Sequence, residues 1–437
     1  MTVVLSILIM LLILTVLVVV HEWGHYISAR IFGVKVNEFS IFMALKIFSR
    51  VGKKTGTVFS IRCLPFGGFC AMEGEETTED GDNAFCNKPW WQRTIILLSG
   101  VFMNIVLAIV IITVVFMIYG YDTRKVSYVN EFMPAGLMNI NEGDSIIEYN
   151  DYSIFNPLDY NLVNYAVNLD DATITVKKEN GEEEYFKLGR VVTQEDKNAF
   201  IVIKKVVDDV ETNVGIYTAN WDTDYLEIKV VGDNAESQKY IFAKNTEGKY
   251  YSTTASYDSQ GNVKIAETPL SYSEEEVQSI LSGYSPYKFG FAFSAEKGNI
   301  FETLGNAVVY NASLVKSVFN SLKWLVTGRL GMDAMSGPIG LTTVVDDVVT
   351  ADASIMARVV SLFEMAALIS ANLAAFNVLP IPGLDGGKLI FIIIELIRRG
   401  KKVPPEKEAV VSLIFLALLI LFSIFIAGND IIRIIRS

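Results

Sequence analysis

The chain has 437 residues, room for two or three domains, and 51% of them are apolar, with a mean hydropathy of +0.36. That balance excludes an ordinary water-soluble enzyme, because the apolar residues gather in long runs at the two ends and near residue 100, around a polar middle. The net charge of −12 is carried by residues 121–300, with 30 Asp/Glu against 16 Lys/Arg, and such an acidic surface repels phosphate backbones and excludes nucleic acid as a partner.

Residues 3–20, VVLSILIMLLILTVLVVV, form an unbroken apolar run. At about 1.5 Å per residue it nearly crosses a hydrocarbon layer of roughly 30 Å. No basic segment precedes it and no small-residue cleavage site follows. The helical pattern instead continues through HEWGHYISARIF, so the run reads as a retained transmembrane helix ending before Gly33. Val34–Phe48 and Gly56–Ile61 read as β stretches, with a turn-rich LPFGGF behind them and EGEETTEDGD as a solvated loop. The three cysteines, Cys63, Cys70 and Cys86, all fall in this region. Their spacing is not that of a metal-binding pair, and they read as reduced structural thiols. Residues 94–119 form a second span with Trp90, Trp91 and Arg93 at its entrance, where aromatic and basic side chains suit the interface.

Residues 121–290 alternate apolar and polar positions between Asn-Gly, Asp-Asn and Gly-Asn turns, the pattern of a water-facing β-rich region. Residues 300–328 predict an amphipathic helix with Leu304, Val308, Leu314, Val318, Leu322 and Leu325 on its apolar side, too polar to span. Further spans are predicted at 355–379 and 408–427. The loop at 33–93 carries eight Lys/Arg and that at 385–407 six. Both are expected in the cytoplasm, which puts the termini and the middle region outside a multi-pass inner or plasma membrane protein.

HEWGH at 21–25 is an HExxH pattern. On a helix His21 and His25 lie one turn apart and can reach one zinc ion, with Glu22 beside them to take a proton from water. A pentapeptide of this kind also arises by chance. Against chance stand two facts: these are the only histidines of the chain, and a glutamate between them near the end of a transmembrane helix is costly without a function. A catalytic zinc usually has three protein ligands. With no third histidine the last must be a carboxylate or a thiolate, and the foremost candidate is Asp385 in NVLPIPGLDGG (377–387), where prolines and glycines break a helix at membrane depth. Asp-Gly is also a common plain turn.

HEWGH together with NVLPIPGLDGG, FGVKVNEFSI (32–41), LPFGGF, SGVFMN (99–104) and GRLGMDAMSGPIGL (328–341) resembles the site-2 protease family of intramembrane zinc metalloproteases. The bacterial regulator-of-sigma-E branch, with a PDZ domain between spans two and three, is the nearest in pattern. The resemblance implies Zn²⁺ held by His21, His25 and Asp385, Glu22 as general base, Asn372 and Asn377 on the substrate backbone, and a structural Asn104. It implies a polytopic α-helical membrane protein with about four transmembrane helices, a membrane-associated β-hairpin and an extracytoplasmic β-rich PDZ-like domain. Its parts are 1–120 (two spans and a cytoplasmic-side hairpin), 121–190 (PDZ-like, from PAGLMNINEGDSIIEYND), 191–290 (a second PDZ domain or an insertion) and 291–437 (amphipathic helix and spans three and four). SIFMALKIF (40–48) departs from the Gly-Pro-containing stretch usual in the family. The implied substrates are transmembrane proteins, such as membrane-bound anti-sigma factors and leftover signal peptides. The rival readings are a membrane-anchored PDZ scaffold without proteolysis and a soluble-type zinc protease on an anchor. The second lacks a third ligand, since 121–290 contain no histidine. The sequence leaves the oligomeric state open.

Overall fold

The computed structural model describes residues 2–75, 78, 79, 81–129, 134–166, 171–192, 199–221, 225–231, 237–244, 250–257, 263–265, 270–271, 289–331 and 337–436. The chain divides into two compact units, Met1–Gly120 with Lys297–Ser437, and Tyr121–Glu296. Among the described residues four helices are long and apolar enough to cross a membrane: Val4–Ile31, Trp90–Tyr119, Ile355–Val378 and Pro405–Gly428. The first ends where expected. Gly33 and Val34 donate their N–H groups to the carbonyls of Arg30 and Ala29, closing the last turn.

Lipid offers no hydrophobic drive between helices, so small residues and polar ties hold the first unit together. Ala366, Ala367, Ser370, Ala371, Ala374 and Ala375 are all buried along one side of the third span, which packs closely on the second. Ser370 donates to the carbonyl of Asn104 at 2.9 Å, and the hydroxyls of Ser28 and Ser99 meet at 2.7 Å between the first and second spans.

The helix Ile300–Val326 starts from a capping box, Asn299 with Glu302, and packs on the second and third spans. Its buried side coincides with the predicted one only in part, at Leu314 and Val318. Thr303, Ala307, Asn311, Leu314 and Val318 face inward, whereas Leu304 and Val308 are exposed. Near its start small side chains let the backbones approach, and toward its end Leu314, Val318 and Trp324 fill the contact.

After the first span the chain forms β1 (Val36–Val51) and β2 (Val58–Met72). LPFGGF, expected as a turn-rich segment, is strand. Gly67 at φ +73° bends β2 so that its end returns to the other edge of β1: Phe39 is paired with both Phe59 and Cys70. The acidic segment that follows is held in part, since Glu75 pairs with Lys388 and Thr78 donates to Glu406. Residues 332–336 of GRLGMDAMSGPIGL lie outside the described residues.

Among the described residues the second unit forms a thirteen-stranded antiparallel sheet. Tyr121–Val129 pairs with Phe291–Glu296, so the entering and leaving chain lie side by side. Gly143 and Asp144 turn the chain into the strand Ser145–Tyr149, where buried Asp144 accepts from the N–H groups of Asn141 and Glu179 and from Lys178. Tyr149, Tyr160, Phe289, Phe291 and Phe293 pack as an aromatic cluster beneath the helix Pro157–Ala166. The ladder continues without a break from Glu183–Val192 into Ala199–Val207 and beyond.

Candidate metal centre

His21 and His25 share one face of the first span and are buried. Asp385 comes from the far end of the chain. The third span stops at Val378 because Pro380 and Pro382 cannot continue it, and the chain reverses into the helix Asp385–Ile397. Asp385 opens that helix, where the dipole favours a carboxylate. Two ion pairs fix the helix: Lys388 with Glu75 in its first turn, and buried Arg93 with Glu395 in its last.

The three groups converge. His21 Nε2 lies 3.0 Å and His25 Nε2 3.3 Å from Asp385 Oδ2, and the two nitrogens are 3.2 Å apart. Tetrahedral zinc with bonds of about 2.0–2.2 Å separates its ligand atoms by about 3.3–3.6 Å, so this triangle fits the ion once its sides widen by a few tenths of an ångström. The donor chemistry fits as well, since two imidazole nitrogens and a carboxylate oxygen are the set a catalytic zinc takes. His25 Nδ1 sits 2.8 Å from the Ile96 carbonyl, a contact that protonates Nδ1 and leaves the Nε2 lone pair facing the site.

Close approach of the second span makes this possible. A methyl group on Gly100 would fall 2.5 Å from His25 Nε2 and 2.7 Å from His21 Cε1, and one on Gly24 would fall 2.4 Å from the Ser99 carbonyl oxygen. One turn beyond Gly100, Asn104 is fully buried with its amide nitrogen 3.3 Å from His21 Nδ1, and its Oδ1 has no hydrogen-bond partner. Gly100 and Asn104 are the site residues that pattern reading undervalues. Their i, i+4 spacing in SGVFMN was the available signal, but nothing in it names His21 as the neighbour.

A cavity of about 580 Å³ opens beside the triad, lined by Glu22, His25, Asp385 and the strand segment Phe69–Met72. Asn377 reaches this site, with Nδ2 3.3 Å from His21 Nε2. Asn372, on the same helix, has a buried Oδ1 without a partner. The cysteines are free. Burial pushes the Cys70 thiol up, with the charges of Glu22 and Glu75 adding to it, and among the described residues the groups whose ligand atoms converge are His21, His25 and Asp385.

The model of peptidase family M50 matches residues 9–422. Over 447 residues the chain is 29% identical to the regulator of sigma-W protease of Bacillus subtilis, covering 95% of this chain and 96% of the relative. It is 27% identical over 454 residues to the regulator of sigma E protease of Haemophilus influenzae, covering 96% and 97%. A zinc metalloprotease of Shouchella clausii is 26% identical over 452 residues, again covering 96% and 97%.

Proposed function

The chain belongs to peptidase family M50 and is an intramembrane zinc metalloprotease, and on that premise we propose that His21, His25 and Asp385 hold the zinc while Glu22 moves the protons. The observation that carries this reading is the triangle of donors, 3.0–3.3 Å on a side, with Glu22 in the same cavity.

A zinc ion bound here supplies Lewis-acid polarisation of the scissile carbonyl and lowers the pKa of water. Glu22 accepts a proton from the attacking water as its oxygen adds to the carbonyl carbon, then delivers that proton to the nitrogen as the C–N bond breaks. Asn372 and Asn377 hold the substrate main chain through their amides. The segment Phe69–Met72 is bonded to β1 on one side and lines the cavity, which supports binding of the substrate as an added strand. Strand addition would unwind a helical substrate and present an extended peptide.

Asn104 acts on His21. With its amide turned so that Oδ1 accepts from Nδ1–H, the buried oxygen gains a partner and the Nε2 lone pair is fixed toward the zinc. Asn104→Leu, which keeps the volume but not the acceptor, should weaken zinc retention against a chelator by about 10–100-fold. Asn104→Asp should restore it, because a carboxylate accepts the same proton. Equal zinc loss in both variants would make Asn104 a packing residue only.

We assign residues 121–190 to a PDZ-like domain and leave 191–290 as a second such domain or an insertion. The basic loops support a middle unit outside the cell. A membrane-impermeant thiol reagent should therefore label Glu182→Cys on intact cells, and native Cys63 and Cys86 only after the membrane is opened. The reverse pattern would invert the topology.

The substrates are transmembrane segments of other membrane proteins. The names of the sigma-W and sigma-E protease relatives point to membrane-bound regulators of sigma factors, and leftover signal peptides offer the same chemistry. In proteoliposomes, purified protein should cut a transmembrane substrate, lose this activity to a zinc chelator and regain it with added zinc. Cleavage that survives complete zinc removal would refute the mechanism. A zinc-loaded protein that binds such segments and never cuts them would favour the scaffold reading.

A further inference from the structure

A second cavity, of about 790 Å³, lies between the first span and the hairpin, away from the metal centre. Val19, Trp23 and Tyr26 line it at the i, i+4, i+7 spacing of one helical stripe, on roughly the opposite side of the helix from His21. The other wall is Phe39, Phe48 and Phe59 of the hairpin. The aromatic rings interlock: Trp23 meets Phe39 edge-on at 5.6 Å and Tyr26 meets Phe59 at 5.7 Å between centroids. The result is a preformed apolar slot within the size range of ligand sites.

One mouth of the slot is cationic. Arg50 near the end of β1 and Lys53 and Lys54 in the turn to β2 line it and are exposed, and no acidic residue does. The neighbouring cations Lys46 and Arg62 are occupied by Glu38, at 3.0 and 2.8 Å, whereas Arg50, Lys53 and Lys54 have no ion pair among the described residues. Leu45, Ile47 and Phe48 beside them are exposed at 77%, 70% and 59%. A long apolar strand next to three unneutralised cations, directly after a membrane-spanning helix, suits one setting: the boundary between hydrocarbon and headgroups.

We propose that this slot binds an anionic glycerophospholipid, an acyl chain lying along Trp23, Tyr26, Phe39 and Phe59 and the phosphate held by Arg50, Lys53 and Lys54. Charge complementarity selects the occupant. The loop charges put this mouth at the cytoplasmic leaflet, whose surface is negative, and each cation near such a surface contributes about fivefold to binding. The inference rests on the membrane topology given above. The binding test below is made in detergent, where leaflet plays no part, so its outcome is separate from that of the labelling experiment.

The test titrates full-length protein in mild detergent with short-chain phosphatidylglycerol and phosphatidylcholine, counting bound lipid by native mass spectrometry. Wild type should hold phosphatidylglycerol at one site with roughly tenfold or greater preference, and Arg50→Gln/Lys53→Gln/Lys54→Gln should bring that preference to within about twofold of parity at unchanged zinc content. Lys53→Arg/Lys54→Arg should keep it, which separates loss of charge from loss of fold. Phe48→Ser, on the exposed wall, should weaken both lipids alike. Equal affinity of wild type for the two lipids, or a preference that persists in the triple Gln variant, would overturn the proposal. So would displacement by glycerol phosphate or inorganic phosphate as effective as by the lipid, which would leave an anion site without its acyl half. Displacement by a polyleucine transmembrane peptide would make the slot a substrate path instead.

Discussion

Glu22→Gln should yield a protein that is folded, zinc-loaded and close to inert, with peptide-bond hydrolysis reduced by about 10²–10⁴-fold, the range that a positioned general base supplies. Glutamine preserves the length and planarity of the side chain, so the cavity it shares with His25 and Asp385 keeps its shape. It cannot accept a proton from water at any working pH. Zinc should stay bound because the converging donors are His21, His25 and Asp385, and Glu22 is not one of them. The measurement pairs zinc content with cleavage of a transmembrane substrate in the same preparation. Wild-type turnover by a zinc-loaded Glu22→Gln protein would remove Glu22 from the mechanism. Loss of zinc along with activity would make it a ligand instead.

Asp385→Ala should abolish activity by the other route, through the metal. Two histidines on one helix are an incomplete set for catalytic zinc, which takes three protein ligands. Losing a partner behind a ligand already costs about 10–100-fold in affinity, and losing the ligand itself should exceed that. The helix that Asp385 opens should stay in place, because the ion pairs Lys388–Glu75 and Arg93–Glu395 anchor its first and last turns independently of the carboxylate. The two substitutions therefore separate, with zinc retained in one and lost in the other at equally low activity. Full zinc occupancy in a folded Asp385→Ala protein would refute the ligand set.

The spans and the motif were legible in the sequence because each rests on local chemistry. A helix in lipid must be long and apolar whatever surrounds it, and HEWGH brings its two imidazoles together through helical spacing alone. Asp385 needed more: it emerged by elimination, from the lack of a third histidine, and from a helix broken by Pro380 and Pro382. What stayed hidden depends on contacts distant in sequence. Nothing in VVYNASLVKSV says that Asn311 faces inward and Val308 outward, since that is settled by which helices are near. LPFGGF looks like a turn because glycine and proline cluster there, yet pairing of Leu64, Gly68 and Phe69 with Met43, Ile41 and Ser40 makes it strand. Asn104 reads as one polar residue in an apolar span until His21, 83 positions earlier, is found beside its amide. The middle unit was legible as β-rich from its alternation, but the continuity of its ladder past residue 190 comes from pairings that no single strand encodes.

The distance along the chain between His21 and Asp385 has a bearing on biosynthesis. They are 364 residues apart. At the usual elongation rate of about 5–20 residues per second, roughly 20–70 s separate their emergence from the ribosome. Throughout that interval the nascent chain carries its general base and two histidines in the bilayer without the carboxylate that would complete them. A hydrolase made within the same lipid layer as its prey, and as its own unfolded spans, is on the proposed ligand set withheld from chemistry until Asp385 has been made. A product truncated anywhere between His21 and Asp385 lacks, by the same logic, the third of the converging donors.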